Sequence, residues 1–154
     1  MQIIEAKWEA KGCRFAIVAS RFNQHITDRL LEGAQGTLLK SGVASDDITV
    51  VFAAGSFEIP ILVQHFAASK KFDAVIALGC ILRGETSHYD VLCQSTTQAL
   101  HQISLTTNIP VTCGIVMAET ADQAIERAGG KMGNRGEEAA RAAVETVNVL
   151  KRIG

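Results

Sequence analysis

The feature that most narrows the fold of this 154-residue chain is a set of four short, nearly all-apolar runs rich in β-branched residues: Arg14–Ser20, Ile48–Ala53, Ala74–Gly79 and Val111–Met117. Runs of this type are expected of strands buried on both faces of a parallel sheet. The segments between them carry helical periodicity, so the chain reads β-α-β-α-β-α-β-α-α. Parallel strands need right-handed crossovers, which distribute helices to both faces. The expected fold is an α/β three-layer α/β/α sandwich with a four-stranded parallel sheet, of the flavodoxin-like kind.

Local signals place the helices. Ile26, Leu30, Leu31, Ala34, Leu38 and Leu39 recur at spacings of three and four, and Ser41-Gly42 supplies a left-handed stop. The second helix opens between Ser56 and Pro60, since proline is tolerated only in a first turn, and runs to about Ser69. The third covers roughly Tyr89 to Thr107. Thr120-Ala121-Asp122-Gln123 has capping-box spacing and predicts a short helix ending at Gly129-Gly130. The last helix, Arg135 to Arg152, puts Ala140, Ala143, Val144, Val147 and Leu150 on one stripe. Ahead of all these, Ile3-Ile4-Glu5-Ala6 reads as a short N-terminal strand with two open pairings, the sheet's own edge or a neighbouring subunit.

Hydrophobic residues make up 47% of the chain, enough to fill one core, so a single domain over residues 1–154 is expected. Lys and Arg number 15 against 16 Asp and Glu and form no basic stripe, which argues against nucleic-acid binding. The opening Met1–Lys7 lacks the character of a secretory signal, and no stretch is apolar enough to span a bilayer. A soluble, cytoplasmic protein with no membrane partner is expected. Cys13, Cys80, Cys93 and Cys113 form no CxxC pair and have no histidine at zinc-ligand spacing, so they read as reduced thiols, with no metal site.

Ligands of open α/β sheets bind beyond the carboxyl ends of the strands, and there this chain is unusually polar. Ser20–His25 follow the first strand, Ala54–Glu58 the second, Cys80–His88 the third and Ala118–Thr120 the fourth. Arg83 to His88 pack a cation, a glycine, two hydroxyls, a carboxylate and an imidazole into six positions leading into a helix, which suits an oxyanion or phosphate. Each residue also has a plainer reading. His88 is an exposed capping residue or an acid–base group. Phe22 is a stacking platform for a planar ring or a loop anchor. Glu58 accepts hydrogen bonds from a polyol or complements a helix dipole, and Arg127 at the end of the fourth helix is explained by the dipole alone. His25, His65 and His101 are assigned no chemistry.

Taken in order, Arg21-Phe22-Asn23, Gly55–Pro60, Ala77–Asp90, Gln123–Gly129 and Gly133–Ala140 resemble the lumazine synthase family. The likeness keeps the family's order and spacing over nearly the whole chain. It implies a transferase of riboflavin biosynthesis that condenses 5-amino-6-(D-ribitylamino)uracil with 3,4-dihydroxy-2-butanone 4-phosphate, the penultimate step, without a cofactor. It further implies pentamers with each active site between two subunits, and riboflavin synthase as a candidate partner. The uninterrupted Gly129–Asn134 connection resembles that of members building sixty-subunit icosahedral shells. By the same likeness, Phe22 stacks on the pyrimidine, Ser56, Phe57 and Glu58 hold the ribityl chain, and Cys80, Ile81 and Leu82 add backbone contacts. Arg127 and the Glu85-Thr86 loop take the phosphate, and His88 moves protons.

Three positions depart from the family pattern: Cys113 where an aromatic residue usually reaches the pyrimidine from a neighbour, Glu85 where a small residue is usual, and Arg135 where lysine is usual. A carboxylate at 85 beside a phosphate site opposes binding unless it points away, and Arg135 keeps the charge with a different geometry. Three rivals share the fold. A flavin electron carrier needs a Ser/Thr- and Gly-rich turn after the first strand, and Arg21–His25 contains no glycine. A response regulator needs acidic residues after the first strand and an aspartate ending the third, where this chain has Ser20-Arg21 and Gly79-Cys80. A shell-forming relative without catalysis is supported only by the substitutions at 85 and 113.

Overall fold

A computed structural model describes residues 1–85 and 87–154. Four parallel strands form one sheet in the order β2-β1-β3-β4: β1 (Phe15–Ser20), β2 (Ile48–Ala53), β3 (Ala74–Leu82) and β4 (Val111–Ala118). The helices between them are α1 (Gln24–Lys40), α2 (Ile59–Ser69) and α3 (Tyr89–Thr107), followed by α4 (Ala121–Glu126) and α5 (Arg135–Ile153). The three-layer α/β/α sandwich expected from the apolar runs is the fold observed.

The central strands divide two cores by simple alternation. Phe15, Ile17 and Ala19 of β1 and Ile76 and Leu78 of β3 face α1 and α5, where they meet Ile26, Leu30, Ala34, Leu38, Ala140, Val144 and Val147. Ala16, Val18, Val75 and Ala77 face α2 and α3 and pack on Val63, Ala67, Leu100 and Ile103. The α1–α5 crossing is close because the second residue of α5 is a glycine: a Cβ on Gly136 would fall 2.0 Å from the Leu30 carbonyl oxygen. Leu39, expected on the buried stripe of α1, is 50% exposed.

Several boundaries differ from expectation. β3 runs three residues further than Gly79, because Cys80, Ile81 and Leu82 continue the ladder opposite Val116, Met117 and Ala118. The fourth helix stops at Glu126 instead of Gly129-Gly130, and a small hairpin intervenes, β5 (Ala128–Gly130) against β6 (Gly133–Asn134). Positive φ at Gly129 and Gly133 is what a turn this tight requires.

The N-terminal strand expected over Ile3–Ala6 is absent from the chain's own sheet, and residues 1–14 form no ladder. Three of their carbonyls and the Trp8 ring are held by α5. Asn148 Nδ2 donates to the Lys7 and Glu9 carbonyls, each at 2.8 Å, Arg152 donates to the Glu5 carbonyl, and Arg141 lies over the Trp8 ring at 5.2 Å. None of the helices among the described residues is long and apolar enough to cross a membrane.

Candidate active site

After β1 the chain turns back to β2, then crosses to β3 on the other side of β1. The strand order therefore reverses between β1 and β3, and a crevice opens beyond their carboxyl ends. Arg21 N–H donates to the Ala53 carbonyl at 2.8 Å and Phe22 N–H to Ser20 Oγ at 3.1 Å, which turns the chain out of the sheet. Asn23 completes the turn in the left-handed region (φ 60°), a conformation asparagine tolerates better than most residues. Its Nδ2 reaches back to the Cys80 carbonyl at 3.4 Å. Phe22 is left 53% exposed, so it does not serve as a buried loop anchor.

On the other side of the crevice, residues Ser56–Glu58 form one 3-10 turn ahead of α2, with Glu58 N–H donating to the Gly55 carbonyl at 3.1 Å. Ser56 is buried over Gly79: a Cβ there would meet Ser56 Oγ at 3.3 Å and Ser20 Cβ at 3.5 Å, so the glycine brings these strand ends together. Phe57 projects outward at 76% exposure, and Glu58 is exposed without a side-chain cap on α2. Cys80, Ile81 and Leu82 lie within β3 with buried side chains, so only their backbone can address a ligand. The last β1 residue paired with β3 is Ala19, opposite Leu78, and the end of β3 therefore overhangs β1 along the crevice.

Beyond β3, a 3-10 turn covers Arg83–Glu85. Thr86, expected in the phosphate loop, lies outside the described residues. His88 is exposed and is the N-cap of α3, but its side chain makes no cap hydrogen bond; its carbonyl accepts from Leu92 N–H at 2.9 Å. The neighbouring Arg83 guanidinium lies 3.4 Å from Glu119 and 3.9 Å from Asp90, over the Tyr89 ring at 5.6 Å. Burial pushes the Tyr89 hydroxyl up, and the Cys93 thiol beside it adds to the effect.

Arg127, Arg135 and Cys113 form a second group. Arg127 is the C-cap of α4 and half-buried, and its carbonyl accepts from Arg135 N–H at 2.9 Å. Arg135 opens α5 and pairs with Glu138 at 2.6 Å. Its backbone abuts β4, since a Cβ on Gly114 would meet the Arg135 carbonyl oxygen at 3.2 Å. Cys113 lies next to that glycine, five residues before the end of β4, or about 16 Å back from the rim at the usual strand rise. The residue is exposed on an edge strand, yet burial pushes its thiol up, opposed by a backbone hydrogen bond at Ile115, so the sulfur is a neutral thiol at neutral pH.

The guanidinium groups thus differ in what they are free to do. Arg83 and Arg135 have carboxylate partners, whereas Arg127 has no ion pair among the described residues. Asn23, Glu119 and Glu138 were not singled out from the sequence. A left-handed asparagine at a strand-to-helix turn is the signal that could have marked the first; Glu138 could have been found from its i,i+3 spacing to Arg135 on the last helix, whereas Glu119 carries none because Arg83 is 36 positions away.

Two cavities lie away from this crevice. One of about 570 Å³ sits between α1 and α5 under Trp8, and one of about 520 Å³ lies between α2 and α3. Phe22, Ser56 and His88 line neither of these two, and with Phe22, Phe57 and His88 exposed the rim of the single chain is an open shelf. All four cysteines are free thiols. Compared with known families, the chain matches the model described as 6,7-dimethyl-8-ribityllumazine synthase over residues 12–151.

Proposed function

The chain belongs to the 6,7-dimethyl-8-ribityllumazine synthase family, transferases of riboflavin biosynthesis, and on that premise we propose that it condenses 5-amino-6-(D-ribitylamino)uracil with 3,4-dihydroxy-2-butanone 4-phosphate, the penultimate step of that route. The support for this reading is the gathering of an exposed aromatic ring at Phe22, the Ser56–Glu58 turn and the His88 turn around one crevice. A flat heterocycle with a polyol tail needs a hydrophobic face, hydroxyl and carboxylate acceptors along its length, and a proton carrier at its reacting end.

In this scheme Phe22 stacks on the pyrimidine, and Ser56, Phe57 and Glu58 receive the ribityl chain, while the backbone of Cys80, Ile81 and Leu82 borders the ring. The 5-amino group attacks the ketone, water leaves to give an imine, phosphate is eliminated, and the ribitylamino nitrogen closes the second ring with loss of another water. His88 carries the protons, a role suited to an imidazole near neutrality. Much of the acceleration comes from holding two reactive molecules together.

The phosphate goes to Arg127 together with the Glu85-Thr86 loop of a neighbouring subunit, with Arg135 in the same site, while Cys113 reaches the pyrimidine from the neighbour and makes a smaller contact than the family's usual aromatic residue. Two observations favour a shared site: Arg127 has no carboxylate partner among the described residues, and Cys113 stands on an edge strand away from the crevice. The subunits close the open shelf by assembling as pentamers through the α2–α3 face, where Ile61, Val91 and Leu105 are exposed. The uninterrupted 129–134 connection favours a sixty-subunit shell, in the cytoplasm, with riboflavin synthase as the partner that consumes the product.

The test is the absorbance of purified protein mixed with both substrates, followed for the lumazine chromophore against the uncatalysed background. A saturable, protein-dependent rise is expected. A rate equal to background leaves a shell-forming relative without catalysis as the better reading.

A further inference from the structure

We propose that Arg83 is a positioning residue for this reaction, clamping the turn that carries His88 to the corner where β4 ends. The inference rests on the proposed function and adds a residue to it. Arg83 follows directly on β3, whose last residues are buried, so its backbone is fixed in the sheet. From there one guanidinium reaches two other elements. Its NH1 lies 3.4 Å from Glu119 Oε1, just beyond β4; its NH2 lies 3.9 Å from Asp90 Oδ2, in the first turn of α3; and its plane covers the Tyr89 ring at 5.6 Å. Glu119 is itself held, because its N–H donates to Gln123 Oε1 at 3.0 Å.

His88 immediately precedes Tyr89, and its carbonyl accepts the Leu92 N–H at 2.9 Å. Rotation of this first turn therefore carries the imidazole with it, and the His88 side chain caps none of the turn's N–H groups. A planar fork with a stacking face is well shaped for such a clamp, since it meets two carboxylates on different elements and an aromatic ring at once, which a lysine ammonium cannot. The same contacts neutralise two carboxylates that otherwise face an anionic substrate at the rim.

Each ion pair is exposed and weak alone, so the effect is read in catalysis. Arg83→Met keeps the stem over Tyr89 and loses the fork; Arg83→Lys keeps the charge. In steady-state kinetics, Arg83→Met is expected to lower kcat about fivefold with both KM values within about twofold, and Arg83→Lys to recover part of the loss. In the assembled protein, hydrogen exchange at the Leu92 amide is expected to quicken in Arg83→Met while α5 is unchanged. In a Glu119→Gln, Asp90→Asn background the methionine variant should cost nothing further.

A kcat within about twofold of the parent overturns the clamp, as does a loss confined to KM. A lower kcat with unchanged exchange at Leu92 also overturns it, because Arg83 then acts on substrate directly. If the parent has no turnover at all, the functional reading fails, and exchange at Leu92 alone still decides whether Arg83 holds the turn.

Discussion

At the scale of single residues, the site divides by what each side chain is free to do. His88 is exposed at a helix start and its side chain makes no cap hydrogen bond, a placement that suits the proton carrier proposed for it. Replacing it with alanine is expected to lower kcat by about 10²-fold while the dissociation constant for the pyrimidine changes little. Fluorescence titration beside steady-state kinetics separates the two, and an unchanged kcat removes the role. Arg127 has no carboxylate partner among the described residues, in contrast to Arg83 and Arg135. Arg127→Ala is expected to raise the KM for the ketone phosphate by about tenfold or more, since a charge-assisted phosphate contact is lost, with kcat less affected. An equal rise in the KM for both substrates contradicts the assignment. Phe22 shows where sequence reasoning left an alternative open: an aromatic in a polar loop reads as anchor or platform, and its exposure in the single chain argues against a buried anchor.

At the scale of elements, the start of α5 has the most to lose. Asn134 Oδ1 accepts from the Gly136 and Glu137 N–H groups at 2.8 and 3.1 Å, while Nδ2 donates to the Arg29 carbonyl at 3.1 Å. One buried amide therefore caps α5 and ties it to α1, just where Gly136 lets the helices touch. Asn134→Ala is expected to cost about 1–3 kcal/mol, the cap plus the stranded carbonyl. Asn134→Asp keeps the cap's acceptor and loses only the donor, so its thermal midpoint should fall between those of parent and alanine variant at fixed protein concentration. Equal midpoints for the two variants contradict the cap. The N-terminus of α4 shows the same chemistry at smaller scale, since Thr120 Oγ1 accepts the Gln123 N–H at 3.2 Å as its spacing predicts. The companion contact differs by one residue: Gln123 Oε1 accepts from Glu119 N–H, outside the helix.

At the scale of the whole molecule, the two faces of the sheet are finished differently. Residues 5–9 are held against α5, whereas the α2–α3 face presents Ile61 at 64% and Leu105 at 80% exposure with no segment of the chain bonded over it among the described residues. Proteins that stay monomeric rarely leave such a face bare. Ile61→Glu is expected to shift the sedimentation coefficient toward the single subunit. It is also expected to abolish most turnover, because the shelf around Phe22 is then no longer closed by a neighbour. A variant that stays assembled and active moves the interface to another face.

The order of elements and the layers of the fold were legible in the sequence because their signals are local: a run such as Ile17-Val18-Ala19 carries its own burial, and a stripe such as Ile26, Leu30, Ala34 and Leu38 its own face. The rim loops were legible for a related reason, since strand ends in a parallel sheet point one way. What tertiary structure alone decided depends on partners distant in the chain. β3 extends to Leu82 because β4 is there to pair with it, and Ile3–Ala6 forms no strand because no edge of the chain's own sheet receives it. Likewise Arg83 meets Glu119 across 36 positions, while Arg127 meets no carboxylate among the described residues. Hydrophobic periodicity is written along the chain, but hydrogen-bond and charge pairing are settled only when the folded backbone brings the partners within a few ångströms.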